Sequence, residues 1–334
     1  MIFLMVVIGG VTRLTESGLS ITEWQPVEGV LPPLDEAQWT AAFDRYKAIP
    51  QYRAIHPDMS LAEFKQIYFW EYLHRLWGRL IGVAFAVPFL YFLLRGRIAW
   101  RLAPRLAGLF VLGGLQGVLG WYMVKSGLAH RIEVSQYRLA AHLLAAVVIY
   151  AAMLWVALDL LWPSVAIGSD RRQAMLRRAA TAVLGLIVLT LVAGAFVAGT
   201  RAGYIDNTFP LMDGRFFPAD YWQLTPWYLN AFETLSAVQF DHRLLAETTW
   251  LAVAALWLYG ARSSLSARQR TALHLLLAAA TAQAALGIAT LVLVVPLPLA
   301  AIHQAGAMAL VTAAIVFRHA LRRPRVDAAL APAV

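Results

Sequence analysis

Two ionisable side chains and an arginine stand at the head of a long apolar run, in Trp70-Glu71-Tyr72-Leu73-His74-Arg75. Ionisable groups at membrane depth are costly and mark function by default. Glu71 and His74 are three residues apart, so on a helix they share a face, one turn from each other. A second stretch, Val238-Gln239-Phe240-Asp241-His242-Arg243, also opens an apolar run; it keeps His-Arg and carries Gln239 where the first carries Glu71. Two further histidines, His142 and His303, lie a few residues into other apolar runs. A lone histidine on an apolar helix is more often packed or capped than a ligand, but four at equivalent places in a repeat favour ligation.

Imidazole suits zinc, copper and iron. One histidine from each of two facing helices, with neither carboxylate nor thiolate to complete a tetrahedron, fits axial ligation of a haem better than a closed zinc site. Two pairs give two porphyrin sites, one per half. Arg75, Arg243, Arg13 and Arg201 are candidate partners for haem propionates, which guanidinium groups pair bidentately; for Arg13 and Arg201, snorkelling to the membrane interface is an equal alternative. Gln116 and Gln283, polar groups inside apolar helices, read as interhelical hydrogen bonds. Trp70, Tyr72, Trp77 and Trp121 either wall a porphyrin or form an aromatic belt. His56, His130, His274 and His319 read as solvated or interfacial, and Asp241 is given no role.

Glu71 breaks the symmetry. Gln239 cannot exchange a proton near neutral pH, so only the first half has a carboxyl group one turn from a candidate ligand. That arrangement implies unequal jobs, one porphyrin being worked upon while the other passes or stores electrons. Glu71 is then an acid or base; the alternative is a cap at the outer end of its helix.

The elements that must position these residues follow from composition. With 60% hydrophobic and 14% charged residues in 334, the chain has too little polar surface to close a soluble globule. Apolar runs at about 1 to 12, 68 to 94, 102 to 123, 139 to 162, 179 to 199, 236 to 259, 272 to 295 and 297 to 317 predict eight membrane-spanning helices. The first run is too short to cross the hydrocarbon layer, and about ten residues are expected to be missing before it, the alternative being a short re-entrant helix. It leads into Thr12-Arg13 without a cleavage pattern of small residues, so no signal peptide is expected. The net charge of +9 sits in connections between runs, among them Arg95/Arg97/Arg101/Arg105, Arg171/Arg172/Arg177/Arg178, Arg262/Arg268/Arg270 and Arg318/Arg322/Arg323/Arg325. By the positive-inside rule these are cytoplasmic, as are both termini, and nucleic-acid binding is excluded as the cause of the charge. Without cysteine there is no disulfide, thiolate site or covalent c-type haem.

The halves repeat each other: Thr12-Arg13 matches Thr200-Arg201, His74-Arg75-Leu76 matches His242-Arg243-Leu244, Gln116 to Gly120 matches Gln283 to Gly287, and Ala140-Ala141-His142 matches Ala301-Ile302-His303. Four helices per unit, an even number, relate the units about an axis near the membrane normal. The expected domains are 1–162 and 179–320, joined by a cytoplasmic linker at 163–178 and followed by a tail at 321–334.

Gly9 to Trp24 (GGVTRLTESGLSITEW), the stretch from Glu63 to Arg75 and the QGVLGWYMVKSGL run from Gln116 to Leu128 resemble haem A synthase of the proteobacterial and mitochondrial type, and the resemblance covers essentially the whole chain. It implies an all-α membrane enzyme of eight helices in two four-helix bundles, oxidising the C8 methyl of haem O to a formyl group by two hydroxylations. It implies that His74 and His142 hold the substrate haem O, that His242 and His303 ligate a haem b cofactor, and that Glu71 is catalytic. It implies a bacterial inner-membrane location with the haem sites towards the periplasm, and as partners the haem O-producing farnesyltransferase and cytochrome oxidase assembly factors; a homo-oligomer is left open. The cysteine pair that some relatives carry in the first outer segment is absent. The rivals are a di-haem cytochrome, which would yield only haem b on pigment extraction, and a transporter, whose helices would be broken at mid-membrane.

Overall fold

The computed structural model describes residues 1–24, 28–130, 133–162 and 171–322. The side chain of His130, residues 163–170 of the expected linker and the tail from 323 lie outside the described residues. Among the described residues eleven α-helices follow one another: α1 (Ile2–Leu14), α2 (Glu36–Lys47), α3 (Pro50–Ile55), α4 (Leu61–Leu94), α5 (Ala103–His130), α6 (Gln136–Leu161), α7 (Arg171–Thr200), α8 (Asn230–Glu233), α9 (Leu235–Ala261), α10 (Ala267–Val292) and α11 (Leu297–Ala320). No strand occurs among the described residues, only an isolated bridge between Met212 and Arg215.

Seven of these helices, α4 to α7 and α9 to α11, are long and apolar enough to cross a membrane. The first run, where an eighth was expected, is the 13-residue α1, which at about 1.5 Å per residue reaches roughly 20 Å. Several helices overshoot their apolar runs because strong local signals extend them. α4 starts seven residues before the run at 68, where Ser60 and Glu63 form a capping box: the Ser60 hydroxyl accepts from Glu63 N at 3.3 Å and the Glu63 carboxylate accepts from Ser60 N at 2.8 Å. α7 likewise opens on Arg171, so part of the segment read as linker is its first helical turns. Arg, Gln, Met and Leu are good helix formers and carry the helix past the apolar boundary.

α1, α4, α5 and α6 are successive neighbours, and α6 also touches α1; α7, α9, α10 and α11 are related in the same way, and α11 touches α7. Between these two sets α6 meets α7 and α11, and α1 meets α11. The largest buried core draws on α6, α7, α9, α10 and α11 with Val6 of α1, and includes no residue of α4 or α5. The segment before α4 has its own aromatic core, in which Tyr46 and Phe64 are fully buried and Phe43 stacks on Phe64 with ring centroids 4.9 Å apart. It fastens α2 and α3 over the N-terminal end of α4.

The repeat is real, but one of its sequence landmarks is out of register. Glu16 and Arg201 both hold left-handed backbone (φ 57° and 61°) between the end of a helix and a single 3-10 turn, Ser17–Leu19 and Ala202–Tyr204. Glu16, not Arg13, is therefore the counterpart of Arg201. The match of Thr12-Arg13 to Thr200-Arg201 slips by three residues, close to one helical turn, a shift that leaves a helix face nearly unchanged.

Candidate functional site

Each of the four histidines rests its ring on a glycine of the adjoining helix. A Cβ added to Gly9 would lie 2.8 Å from Cε1 of His74, one on Gly120 3.0 Å from that of His142, one on Gly194 3.0 Å from that of His242, and one on Gly287 2.9 Å from that of His303. These steps sit on α1, α5, α7 and α10, and the rings come from α4, α6, α9 and α11. A methyl group at any of them would push the ring off its seat, since carbon atoms prefer separations of about 3.5–4.0 Å. The seats of His74 and His142 thus lie on α1 and α5, in the first set of neighbouring helices, and those of His242 and His303 on α7 and α10, in the second.

The second nitrogen of each ring has its own surroundings. Nδ1 of His142 is 3.1 Å from Nε2 of Gln116, which also donates to the His142 carbonyl at 2.8 Å. Gln283 repeats this on His303, at 3.1 Å and 3.0 Å. His242 Nδ1 lies 3.2 Å from the Thr190 carbonyl. Nδ1 of His74 is buried with no hydrogen-bond partner. The Thr190 carbonyl can accept from Nδ1–H of His242 and leave its Nε2 for a ligand, whereas the Gln116 and Gln283 amides donate and so fix the orientation of the His142 and His303 rings. No cluster of three or more His, Cys, Asp or Glu suited to a metal ion occurs among the described residues. Two imidazoles per half, seated in glycine cradles with no third metal-binding side chain beside them among the described residues, would suit a porphyrin iron better than a tetrahedral metal.

Glu71 is 2% exposed and fully engaged. Its Oε2 accepts from the Ser20 hydroxyl and from Ile21 N, both at 2.7 Å, and its Oε1 accepts from Arg75 at 2.5 Å. Gln239, its counterpart, does the opposite: its amide donates to the carbonyls of Ala202 at 2.8 Å and Ile205 at 2.6 Å. Both side chains therefore clamp the turn that follows the first helix of their half, one as acceptor and one as donor. The arginines share this duty. Arg75 donates to the carbonyls of Ile21 and Glu23 at 2.7 and 2.9 Å, and Arg243 to those of Asp206 and Thr208 at 2.5 and 2.9 Å.

Arg13 and Arg201 meet at a residue that sequence reasoning missed. Arg13 pairs with Glu133 at 2.9 Å, and Arg201 pairs with Glu133 as well and with Glu16 at 2.5 Å. Glu16 and Arg201, equivalent in the two halves and opposite in charge, thus bind each other. His56 joins through Glu16 at 3.3 Å. Glu133 stands in a short mixed-charge loop that offers no periodic signal; only the contact across halves reveals it.

The remaining candidates divide. Gln116 and Gln283 do bond between helices, and their partners are the histidines themselves. Tyr72 donates to the Val30 carbonyl at 2.7 Å, Trp77 to the Met1 carbonyl at 3.1 Å, and Trp121 packs 6.0 Å from Trp24. Asp241 accepts from the Tyr221 hydroxyl at 3.0 Å. His319, read as solvated or interfacial, is 2% exposed, 3.0 Å from Asp159 and edge-on to Trp155. Its place in the last turn of α11 gave no hint of the α6 residues that cover it. The glycine steps could have been read from the sequence: Gln116 and Gln283 are each followed four residues later by Gly120 and Gly287, one turn along the same face.

The chain matches a family model described as cytochrome oxidase assembly protein (COX15-CtaA) over residues 1–315. It is 54% identical to a protein of Rhodospirillum centenum named heme A synthase, over 97% of this chain and 86% of that protein. It is 52% identical to one of the same name from Nitrosospira multiformis, over 97% and 91%. A third, from Rhodopseudomonas palustris, is 47% identical over 98% and 89% and carries the same name. With a match that runs through both halves of the repeat and takes in all four paired histidines, the chain belongs to the cytochrome oxidase assembly protein family of that description.

Proposed function

We propose that the protein is a haem A synthase, an oxidoreductase that converts the C8 methyl of haem O to a formyl group for cytochrome oxidase. The observation that carries this reading is the pair of duplicated imidazole seats, unequal only in what surrounds them, in a chain about half identical to proteins of that name. The two sets of neighbouring helices act as two four-helix bundles in the bacterial inner membrane, spanning 1–162 and 179–320, with α1 as the eighth helix and both termini cytoplasmic. His74 and His142 hold the substrate haem O towards the periplasmic side, and His242 and His303 hold haem b. Bound there, haem b supplies a one-electron relay.

The chain's own groups do the rest. Gln116, Gln283 and the Thr190 carbonyl orient three of the four rings. Glu71 places a carboxylate one turn before His74 and manages protons while the methyl is hydroxylated twice, each hydroxylation passing two electrons to an external oxidant and taking up one oxygen atom; the resulting geminal diol loses water to give the aldehyde. Arg75 and Arg243 order the loops that cover the two sites, and Arg13 and Arg201 hold the outer faces of the halves together; propionates would meet these same guanidinium groups. A farnesyltransferase making haem O is the supplier that this substrate demands, and oxidase assembly factors receive the product.

The test is mass analysis of extracted pigments from cells that express the protein with and without that farnesyltransferase. A synthase yields haem O, its hydroxylated intermediate or haem A only when haem O is supplied; haem b alone under both conditions would identify an electron carrier instead. Glu71→Gln should keep both porphyrins and stop oxidation. Haem A made at the normal rate by that variant would remove Glu71 from the chemistry.

A further inference from the structure

At the end of the molecule where α7 begins and α11 ends, an open groove of about 530 Å³ lies against these two helices. It is lined by Ala174, Arg177, Arg178, Thr181 and Ala182 of α7 and by Arg318 of α11, so among the described residues three guanidinium groups and no carboxylate line it. On α7 these residues recur at intervals of three and four and share one face. Charges of one sign held together repel unless something of opposite sign lies among them. Asp159, the acidic residue near this end of α6, is taken up by His319 and Arg322. Arg178 has neither a hydrogen bond nor an ion pair among the described residues.

Arg318 is already held in place. Its Nε donates to the Thr181 hydroxyl at 2.6 Å, and its guanidinium lies 5.9 Å from the centre of the Trp155 ring on α6. These two contacts fix the plane of the group and leave both Nη atoms for the forked contact that guanidinium makes with phosphate oxygens. The ground beside the groove is apolar. Along the same face of α7, Ala182 is followed by Gly185 and Leu189, all three exposed, and a Cβ on Gly185 would meet nothing within 4 Å. Gly185 lies seven residues beyond Arg178, roughly 10 Å along the axis. Because α7 is apolar enough to cross a membrane, this furrow runs into the hydrocarbon while the arginines stand at its edge. A free anion would use the arginines alone, whereas a lipid uses both.

We propose that this groove binds an anionic phospholipid, its phosphate held by Arg177, Arg178 and Arg318 and one acyl chain laid along Ala182, Gly185 and Leu189. Basic pockets between membrane-spanning helices suit such headgroups. A lipid seated there ties the first helix of the second half to its last. General snorkelling of arginines to the interface needs no groove and does not set one arginine apart from another.

The test is native mass spectrometry of the delipidated full-length protein in detergent, titrated with dioleoylphosphatidylglycerol or dioleoylphosphatidylcholine. The wild type should hold one phosphatidylglycerol about tenfold more tightly than phosphatidylcholine, and millimolar inorganic phosphate should not displace it. Arg178→Ala and Arg318→Ala should each weaken binding about fivefold. Gly185→Leu, which changes no charge, should weaken it as well by filling the furrow. Arg171→Ala removes the same charge from the same end of α7 without touching the groove and should leave binding unchanged. The melting temperature of each lipid-free variant reports its folding, and exposed Arg178 can be replaced without loss of an internal contact. Equal affinity for the two lipids, or a loss in Arg171→Ala equal to that in Arg178→Ala, would overturn the site. Displacement by inorganic phosphate with Gly185→Leu unaffected would overturn the lipid in favour of a free anion.

Discussion

Gly287→Ala tests whether the glycine steps are seats for ligands. The new Cβ would lie 2.9 Å from Cε1 of His303, while carbon atoms settle at about 3.5–4.0 Å, so the ring must retreat by roughly 0.6–1.1 Å. Metal–ligand distances tolerate about 0.2 Å, and the overshoot is several times that. Overpacking of this kind costs about 1–3 kcal/mol, which at about 1.4 kcal/mol per tenfold is roughly a 5- to 150-fold loss of affinity for haem b. The helix itself gains about 1 kcal/mol from alanine in place of glycine, so the unloaded protein should lose little stability. Gly185→Ala on α7 is the matched control, since a Cβ there meets nothing within 4 Å. The assay is haem b per protein after purification, with the reduction potential and the melting temperature of each variant. Full haem content at an unchanged potential in Gly287→Ala would refute the seat, because the ring could not then be bearing on that glycine.

Three further outcomes follow from the geometry. Gln239→Glu replaces a buried donor to two carbonyls by a carboxylate facing them; it should cost about 2–5 kcal/mol and lower the melting temperature, and an unchanged melting curve would deny the clamp. Arg201→Ala removes the links to Glu16 and Glu133; with the pair partly exposed the loss should be about 1 kcal/mol or less, largest at low ionic strength and shrinking as salt screens the charges, so a salt-independent loss would point to packing instead. In the loop after α7, burial and then the hydrogen bond to Asp213, with Asp220 nearby and Arg243 opposing, raise the Asp206 pKa above its ordinary value. The folded protein therefore binds this proton more readily than the unfolded chain, and stability should fall as pH rises from the ordinary carboxylate range through the raised value. Asp206→Asn should flatten that part of the profile of melting temperature against pH; a profile of the same slope would assign it to another group.

The sequence by itself determined the class and singled out the four histidines as candidate ligands. Hydrophobic runs set the helices because burying backbone polar groups in lipid leaves few other options, and His74, His142, His242 and His303 stood out because ionisable groups at that depth need a reason. Glu71 against Gln239 was visible as a difference between repeats, but its physical meaning was not: one accepts from a loop and the other donates to one, and only the loop conformations decide which. The register of the repeat was misjudged at Thr12-Arg13 because a three-residue slip preserves a helix face, whereas the left-handed residues Glu16 and Arg201 are fixed by backbone geometry. The tertiary structure alone supplied which histidine ring rests on which glycine, the unpartnered nitrogen of His74 and the meeting of Arg13 and Arg201 at Glu133. All three depend on which helices lie side by side, and the periodicity of one helix says which face is buried but not whose atoms it meets.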